Sequence, residues 1–430
     1  MLIRQCIDYN PLHFALRHFE VTKIKPKSPA VVIGLGLNAL GTLRALDATG
    51  IPSYVITPSI GDPCETTRHA QKILCPTMDT DPEALIHCLQ KLREHFDRPA
   101  VLFPSGDLNL EIVSNARESL AAGYLFPFPE KHLVDLIINK NNFYRFANDN
   151  AINIPPTFFP SNIGEVEDIA VGLRYPCLIK PSVANIPWRQ KGWKIHLARD
   201  RSELLALYEE AVMIQPLLVV QEVIEGPDSA LHFSLTYAND QSECLAMFTG
   251  RKLRQYMPHY GISSLAESRW YPEVDQMTRD ILRKMGYSGY ASIEFKKDVR
   301  NGRFYVMEVT GRTWYPHALS EICGVNLPSL AWASLTGEPL PQMPPQREGV
   351  KWMDEINDLR SAWKHHQDGE LGFREWFDSY RGELHLGHYR RGDASPFYAM
   401  LRSYLISILK DALRPAYRLI KRAMGALSNR

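Results

Sequence analysis

Residues 30–59 read AVVIGLGLNALGTLRALDATGIPSYVITPS: a short apolar run, a glycine turn, a helical stretch and a second β-rich run. Two strands joined through a helix have no tight turn between them. They pair in parallel, as one βα unit of an α/β sheet. Further helix and strand alternation follows, with AVLFPSGDLNLEIVSNARESL as strand, loop and helix. Asp107 stands in the loop after that strand, where open α/β sheets place ligand groups, and it can equally cap the helix. Gly34-x-Gly36-x-x-Ala39 matches a loose dinucleotide fingerprint. That fingerprint also wants an acid about twenty residues on, yet the second strand, Tyr54 to Ile56, ends in Thr57-Pro58. The glycines are therefore assigned to the turn and to helix packing, and nicotinamide chemistry is the weaker reading.

A second unit of different character begins near Asn139 and runs to Glu338, followed by the linker-like EPLPQMPPQREG. The expected architecture is α/β over residues 1–138 and α+β over 139–338, with an extension over 339–430. The 430 residues accommodate two or three cores. A net charge of +1 argues against nucleic acid as the partner. The chain has no 18-residue apolar run, no signal-like start and seven scattered cysteines. Together these predict a cytoplasmic protein without a membrane span.

The stretch IEFKKDVRNGRFYVMEVTGR, residues 293–312, reads as a hairpin turning at Asn301-Gly302. Alternation places Ile293, Phe295, Tyr305, Met307 and Val309 on an apolar face. Glu294, Lys296, Val306, Glu308 and Thr310 fall on the other. If the loop spans residues 300–302, Glu294 lies opposite Glu308. Two carboxylates about 4 Å apart repel by roughly 4 kcal/mol at an effective dielectric of 20. A divalent cation between them relieves this; so does plain solvation, with Lys296 softening the repulsion. The hairpin alone leaves both readings open.

Other residues suit a nucleotide. Lys140 opens NKNNFYRFANDNAINIPPTFF, and Lys180 ends the strand in YPCLIKPS. The strand Val219 to Ile224 can present backbone groups to an adenine edge, and Asp228 beyond it can meet a ribose. Arg251, Lys252 and Arg254 are candidates for phosphate or substrate carboxylate, or else a solvated strand end. Two lysines, a hinge and an acidic pair are the ingredients for ATP with magnesium.

The order of these elements across residues 30–340 resembles the ATP-grasp superfamily. The likeness is strongest to its carbamoyl-phosphate-synthase-like carboxylate–amine ligases, whose N-terminal α/β (pre-ATP-grasp) domain precedes a two-lobed ATP-grasp domain. The resemblance implies that Lys140 and Lys180 hold the ATP phosphates and that Arg189 to Trp193, with Lys191, forms the phosphate flap. Gln221, Glu222 and Ile224 would meet the adenine and Asp228 the ribose. Glu294 and Glu308 would bind magnesium, or manganese in its place. Arg312 would stabilise the acyl phosphate and the tetrahedral intermediate; Arg254, from the strand-end trio, is the second catalytic candidate. The family usually has Asn two residues after the second Glu as a further metal ligand; this chain has Thr310 there, whose hydroxyl would take that place. The implied partners are a small carboxylate and an amine. Competing readings are a nucleotide-binding scaffold of the same fold and a bicarbonate-activating enzyme.

The C-terminal stretch MLRSYLISILKDALRPAYRLIKRAMGALSNR is helical in period, basic and interrupted by Pro415. It suits an anionic membrane surface, or a terminal helix docked on its own protein with a solvated basic face. The sequence leaves monomer and homodimer both open.

Overall fold

The computed structural model describes residues 27–59, 61–182 and 195–410. Five strands of the N-terminal part form a parallel sheet: β1 (Ala30–Ile33), β2 (Ser53–Thr57), β3 (Gln71–Leu74), β4 (Ala100–Pro104) and β5 (Tyr124–Leu125). Their order is β3-β2-β1-β4-β5. β1, β2 and β4 are buried along their whole length, as the near-continuous apolar runs require of a sheet covered on both faces. Gly34 and Gly36 turn the chain from β1 into the helix Leu37–Asp47 with φ of +104° and +83°. A Cβ at Gly34 would run into Ser105 Oγ, so this glycine serves the close approach of β1 and β4.

A small antiparallel sheet follows: β6 (Thr157–Phe158), β7 (Cys177–Pro181), β8 (His196–Ala198) and β9 (Leu218–Glu222), in the order β6-β9-β7-β8. The helices Ile163–Gly172 and Arg201–Val212 share its core.

The largest sheet is β10 (Leu231–Ala238), β11 (Cys244–Tyr256), β12 (Ile262–Ser268), β13 (Gly289–Lys297), β14 (Phe304–Thr310), β15 (Lys351–Met353) and β16 (Leu384–Leu386). It runs β14-β13-β10-β11-β12-β15-β16. The helix Pro272–Met285 packs on β10 and β11, and its Val274, Ile281, Leu282 and Met285 join the core that also holds Ile293 and Phe295 of β13. Residues after 339, read from the sequence as an extension, thus supply two strands of this sheet, and Trp352 among them is 1% exposed. One apolar core joins the first sheet to the largest: Val32, Leu40 and Phe103 cluster with Phe233, Trp314 and Trp352.

The tail crosses back to the first domain. Arg44, in the helix Leu37–Asp47, donates to the Asp393 carboxylate at 2.9 Å and to the carbonyls of Gly387 and His388 at 2.9 and 2.7 Å. Among the described residues no helix is long and apolar enough to cross a membrane. Residues 395–410 are helical, and Leu405, Ile406, Ile408 and Leu409 on them are exposed.

Candidate active site

The hairpin of β13 and β14 sets the site. Near its turn Lys297 lies opposite Phe304 and Phe295 opposite Val306, a register that would set Glu294 against Met307. A bulge then inserts one residue, so Glu294 pairs with Glu308 and Ser292 with Thr310. The direct pairing of the glutamates comes from this bulge and not from the loop length. The bulge also corrects the expected faces. Val306, Phe304 and Val309 enter the core with Ile293 and Phe295, whereas Tyr305 and Met307 do not. The Met307 carbonyl freed by the bulge accepts a hydrogen bond from Tyr144 at 3.0 Å.

Each glutamate has its own lysine. Lys140 Nζ lies 2.7 Å from Glu308 Oε1, and Lys252 Nζ lies 2.5 Å from Glu294 Oε2. Asn139 caps the helix Lys140–Asp149 by accepting from the backbone amides of Asn141 and Asn142. That cap fixes Lys140 as the first helical residue, facing the hairpin. The Lys140 charge holds the Glu308 carboxyl at about 2, well below the usual carboxylate range. Burial pushes the Lys140 ammonium down; the charge and hydrogen bond of Glu308, together with Tyr144 and Asp107, outweigh this and leave it raised. Lys252 is 3% exposed on its side chain, stands 5.4 Å from the Trp314 ring centre and also donates to Gln255 Oε1 at 3.1 Å.

Lys180 completes the cationic set. It is the penultimate residue of the fully buried β7 and donates to Gln221 Oε1 at 2.8 Å and to Tyr144 Oη at 3.1 Å. Both acceptors are neutral, and burial pushes the Lys180 ammonium down. A buried cation whose hydrogen-bond acceptors among the described residues are an amide and a phenol oxygen is a place an anion would complete. Two lysines and Tyr144 therefore converge beside Glu308, with Lys252 at Glu294.

The remaining predicted residues fall differently. Arg312 follows β14 and makes a two-pronged ion pair with Asp107 (2.7 and 2.9 Å), tying the site to the loop after β4. Asp107 is the first residue of its helix, and Gly106 occupies the cap position. Thr310 is buried and its hydroxyl makes one long contact, 3.5 Å, with the Ser292 carbonyl. Glu222 accepts from the Arg174 amide at 2.9 Å, and Ile224 is buried.

Asp228 is buried against protein partners: the Gln255 amide and side chain, both at 2.9 Å, and the His259 amide at 3.2 Å. Arg254 is not brought to the glutamates. It forms a buried two-pronged pair with Asp358 (3.0 and 2.7 Å) and donates to Ser379 Oγ at 2.8 Å. A second bulge, between Lys252 and Arg254, breaks strand alternation, so that Gln255 and not Arg254 accompanies Lys252. Arg251 pairs with Glu267 across β11 and β12. Lys191 and the flap around it lie outside the described residues. Tyr144 and Trp314 had no signal in the sequence that set them apart from core aromatics. A cavity of about 410 Å³ lined by Arg117, Phe128, Tyr237 and Gly289 contains none of the predicted site residues.

Residues 259–343, which include the hairpin, match the family model "Carbamoyl-phosphate synthase L chain, ATP binding domain". The D-aspartate ligase of Enterococcus faecium is 22% identical over 317 residues, covering 69% of this chain and 74% of that protein. The ADP complex of purK, N5-carboxyaminoimidazole ribonucleotide synthetase, superposes with a TM-score of 0.60 at 14% identity, covering 80% of this chain and 86% of that one. The biotin carboxylase domain of Hydrogenobacter thermophilus 2-oxoglutarate carboxylase, in complex with MgADP, ADP and bicarbonate, gives a TM-score of 0.58 at 19% identity, covering 76% and 74%. At such identities the solved structures speak for the fold. The chain thus shares the fold of these solved structures, and its segment around the glutamate hairpin is similar to that ATP-binding domain.

Proposed function

We propose that this protein is an ATP- and magnesium-dependent ligase that joins a small carboxylate to an amine through an acyl phosphate, releasing ADP and phosphate. The observation that carries the reading is the hairpin, which sets Glu294 directly opposite Glu308 with three lysines gathered around the pair. Two carboxylates and no sulfur or imidazole suit a hard cation, and Glu308 stays ionised at any physiological pH. Glu294 and Glu308 would hold magnesium, whose charge, when bound, neutralises that of the ATP phosphates.

Lys140 and Lys180 bind the phosphates. A carboxylate oxygen of the acid attacks the γ-phosphorus, and ADP leaves. The amine then attacks the acyl carbon, loses a proton, and phosphate departs as the C–N bond forms. Arg312 and Lys252 steady the negative charge on the acyl phosphate and the tetrahedral intermediate; catalysis here is mainly positioning and charge neutralisation. The relation to D-aspartate ligase supports an amino acid as the amine, with D-aspartate the first to try.

The test is ADP release across a panel of carboxylates and amino acids, with and without magnesium. Turnover that needs one acid and one amine supports the ligase. A second reading, nucleotide binding without turnover, draws on Thr310: its hydroxyl faces the Ser292 carbonyl where the family usually has a metal-binding Asn. Magnesium-linked ATP binding with no turnover on any pair would favour it.

A further inference from the structure

Beyond the glutamate hairpin, two histidines and two carboxylates from separate segments meet. Asp228 lies in the turn before β10, His259 in the loop between β11 and β12, and His365 in the helix Glu355–Gln367; Glu370 follows that helix. His365 Nδ1 lies 2.7 Å and His259 Nε2 3.2 Å from the same Glu370 oxygen, Oε2. The other ring nitrogens both face Asp228: His365 Nε2 at 3.4 Å from Oδ2 and His259 Nδ1 at 3.7 Å from Oδ1. His365 Nε2 is buried without a well-formed hydrogen bond. His259 adopts φ of +68°, a conformation L side chains rarely take.

The ligand atoms of His259, His365 and Glu370 lie within 4.8 Å of one another. Two imidazoles and a carboxylate converging on one point are a donor set for a borderline cation such as zinc. Metal-bound imidazoles characteristically give their second nitrogen to a carboxylate, and Asp228 stands behind both rings, itself anchored by Gln255. Glu370 and His259 are partly exposed, which leaves a coordination position open to water. The other grouping of this kind, Asp354, Glu355 and His388, lacks that openness. There Asp354 is taken by Tyr315 and Asn357, and Glu355 by the His388 and Tyr389 amides and the His388 ring.

We propose that His259, His365 and Glu370 bind one divalent transition-metal ion of the zinc class, with Asp228 orienting both imidazoles. The ion would clasp the loop between β11 and β12 to the C-terminal helix. The site is separate from the glutamate pair and does not depend on the ligase reading.

The experiment is titration of chelator-stripped full chain with Zn2+ in excess Mg2+, read against a chromophoric chelator, with Co2+ absorption as the report on geometry. One ion per chain is expected. Glu370→Gln and His259→Ala, both at exposed positions, should each weaken binding by about tenfold or more and change the Co2+ bands. Glu308→Gln should leave the affinity for Zn2+ unchanged. Absence of stoichiometric binding, or binding lost in Glu308→Gln and kept in the other two, would overturn the proposal. Circular dichroism and melting of each variant confirm that it is folded.

Discussion

Glu308 is the residue on which most depends. Its carboxylate is paired with Lys140 and paired across the hairpin with Glu294. Replacing it with Gln keeps the shape and removes the charge. If the ligase reading holds, magnesium-dependent ADP release by Glu308→Gln should fall by roughly 10²-fold or more, the scale on which removal of one preorganised electrostatic partner acts. Retained turnover would remove Glu308 from the chemistry.

The same residue carries a pH signature. Its carboxyl lies near 2 in the folded chain against an ordinary value of 4.5, so folding is favoured by its ionised form. The contribution is fully present above about pH 4.5 and is lost as pH falls from there through 2. Urea midpoints measured from pH 5 down to 2.5 should therefore drop more steeply for the wild type than for Glu308→Gln. Parallel slopes would show that the Lys140 pairing adds nothing to stability.

At the scale of elements, two bulges do what regular strands would not. The one in β14 brings the glutamates face to face; the one in β11 sends Lys252 to the site and Arg254 to Asp358. Arg254 illustrates the consequence. The basic strand end in the sequence offered it as a catalytic group, whereas its guanidinium is buried in an ion pair with a fully buried carboxylate. Removing one partner of such a pair strands the other charge, at about 3–5 kcal/mol. Arg254→Ala should lower stability on that scale by chemical denaturation, while the folded fraction keeps a near-wild-type KM for ATP. A variant of unchanged stability and lost turnover would return Arg254 to the catalytic role.

For the whole molecule, the segment after 339 is a working part of the fold. It supplies β15 and β16, buries Trp352 and locks Arg44 through Asp393. A chain cut after Glu338 loses these contacts, opens the edge of β12 and should fail to give soluble, cooperatively unfolding protein. A chain cut after Ala394 keeps them all and should match the full chain in melting temperature and ATP binding. It removes the terminal helix, whose exposed Leu405, Ile406 and Leu409 sit beside Arg402 and Lys410. Of the two readings the sequence leaves for that helix, docking on its own protein or an anionic membrane surface, the second makes a difference that can be measured. Sedimentation with phosphatidylglycerol vesicles should then retain the full chain and release the shortened one, and equal sedimentation of both would exclude it.

Local chemistry in the sequence was enough for the parallel βα unit, the hairpin at Asn301-Gly302 and the order of charged residues along the chain. Each depends on a turn, a period or a spacing that neighbours in sequence impose. It also assigned Gly34 and Gly36 to a turn, where both take positive φ and Gly34 stands against Ser105. What the tertiary structure alone decided is which charge meets which. Lys140 reaches Glu308 across 168 positions, Arg312 reaches Asp107 across 205, and Arg254 is drawn to Asp358 across 104. One inserted residue in each of two strands reverses the alternation that a reader of the sequence must assume, because a bulge is paid for by long-range packing and leaves little local trace. The meeting of His259, His365, Glu370 and Asp228 belongs to the same class: four ordinary residues in three segments, made into a site by the sheet and helix that carry them.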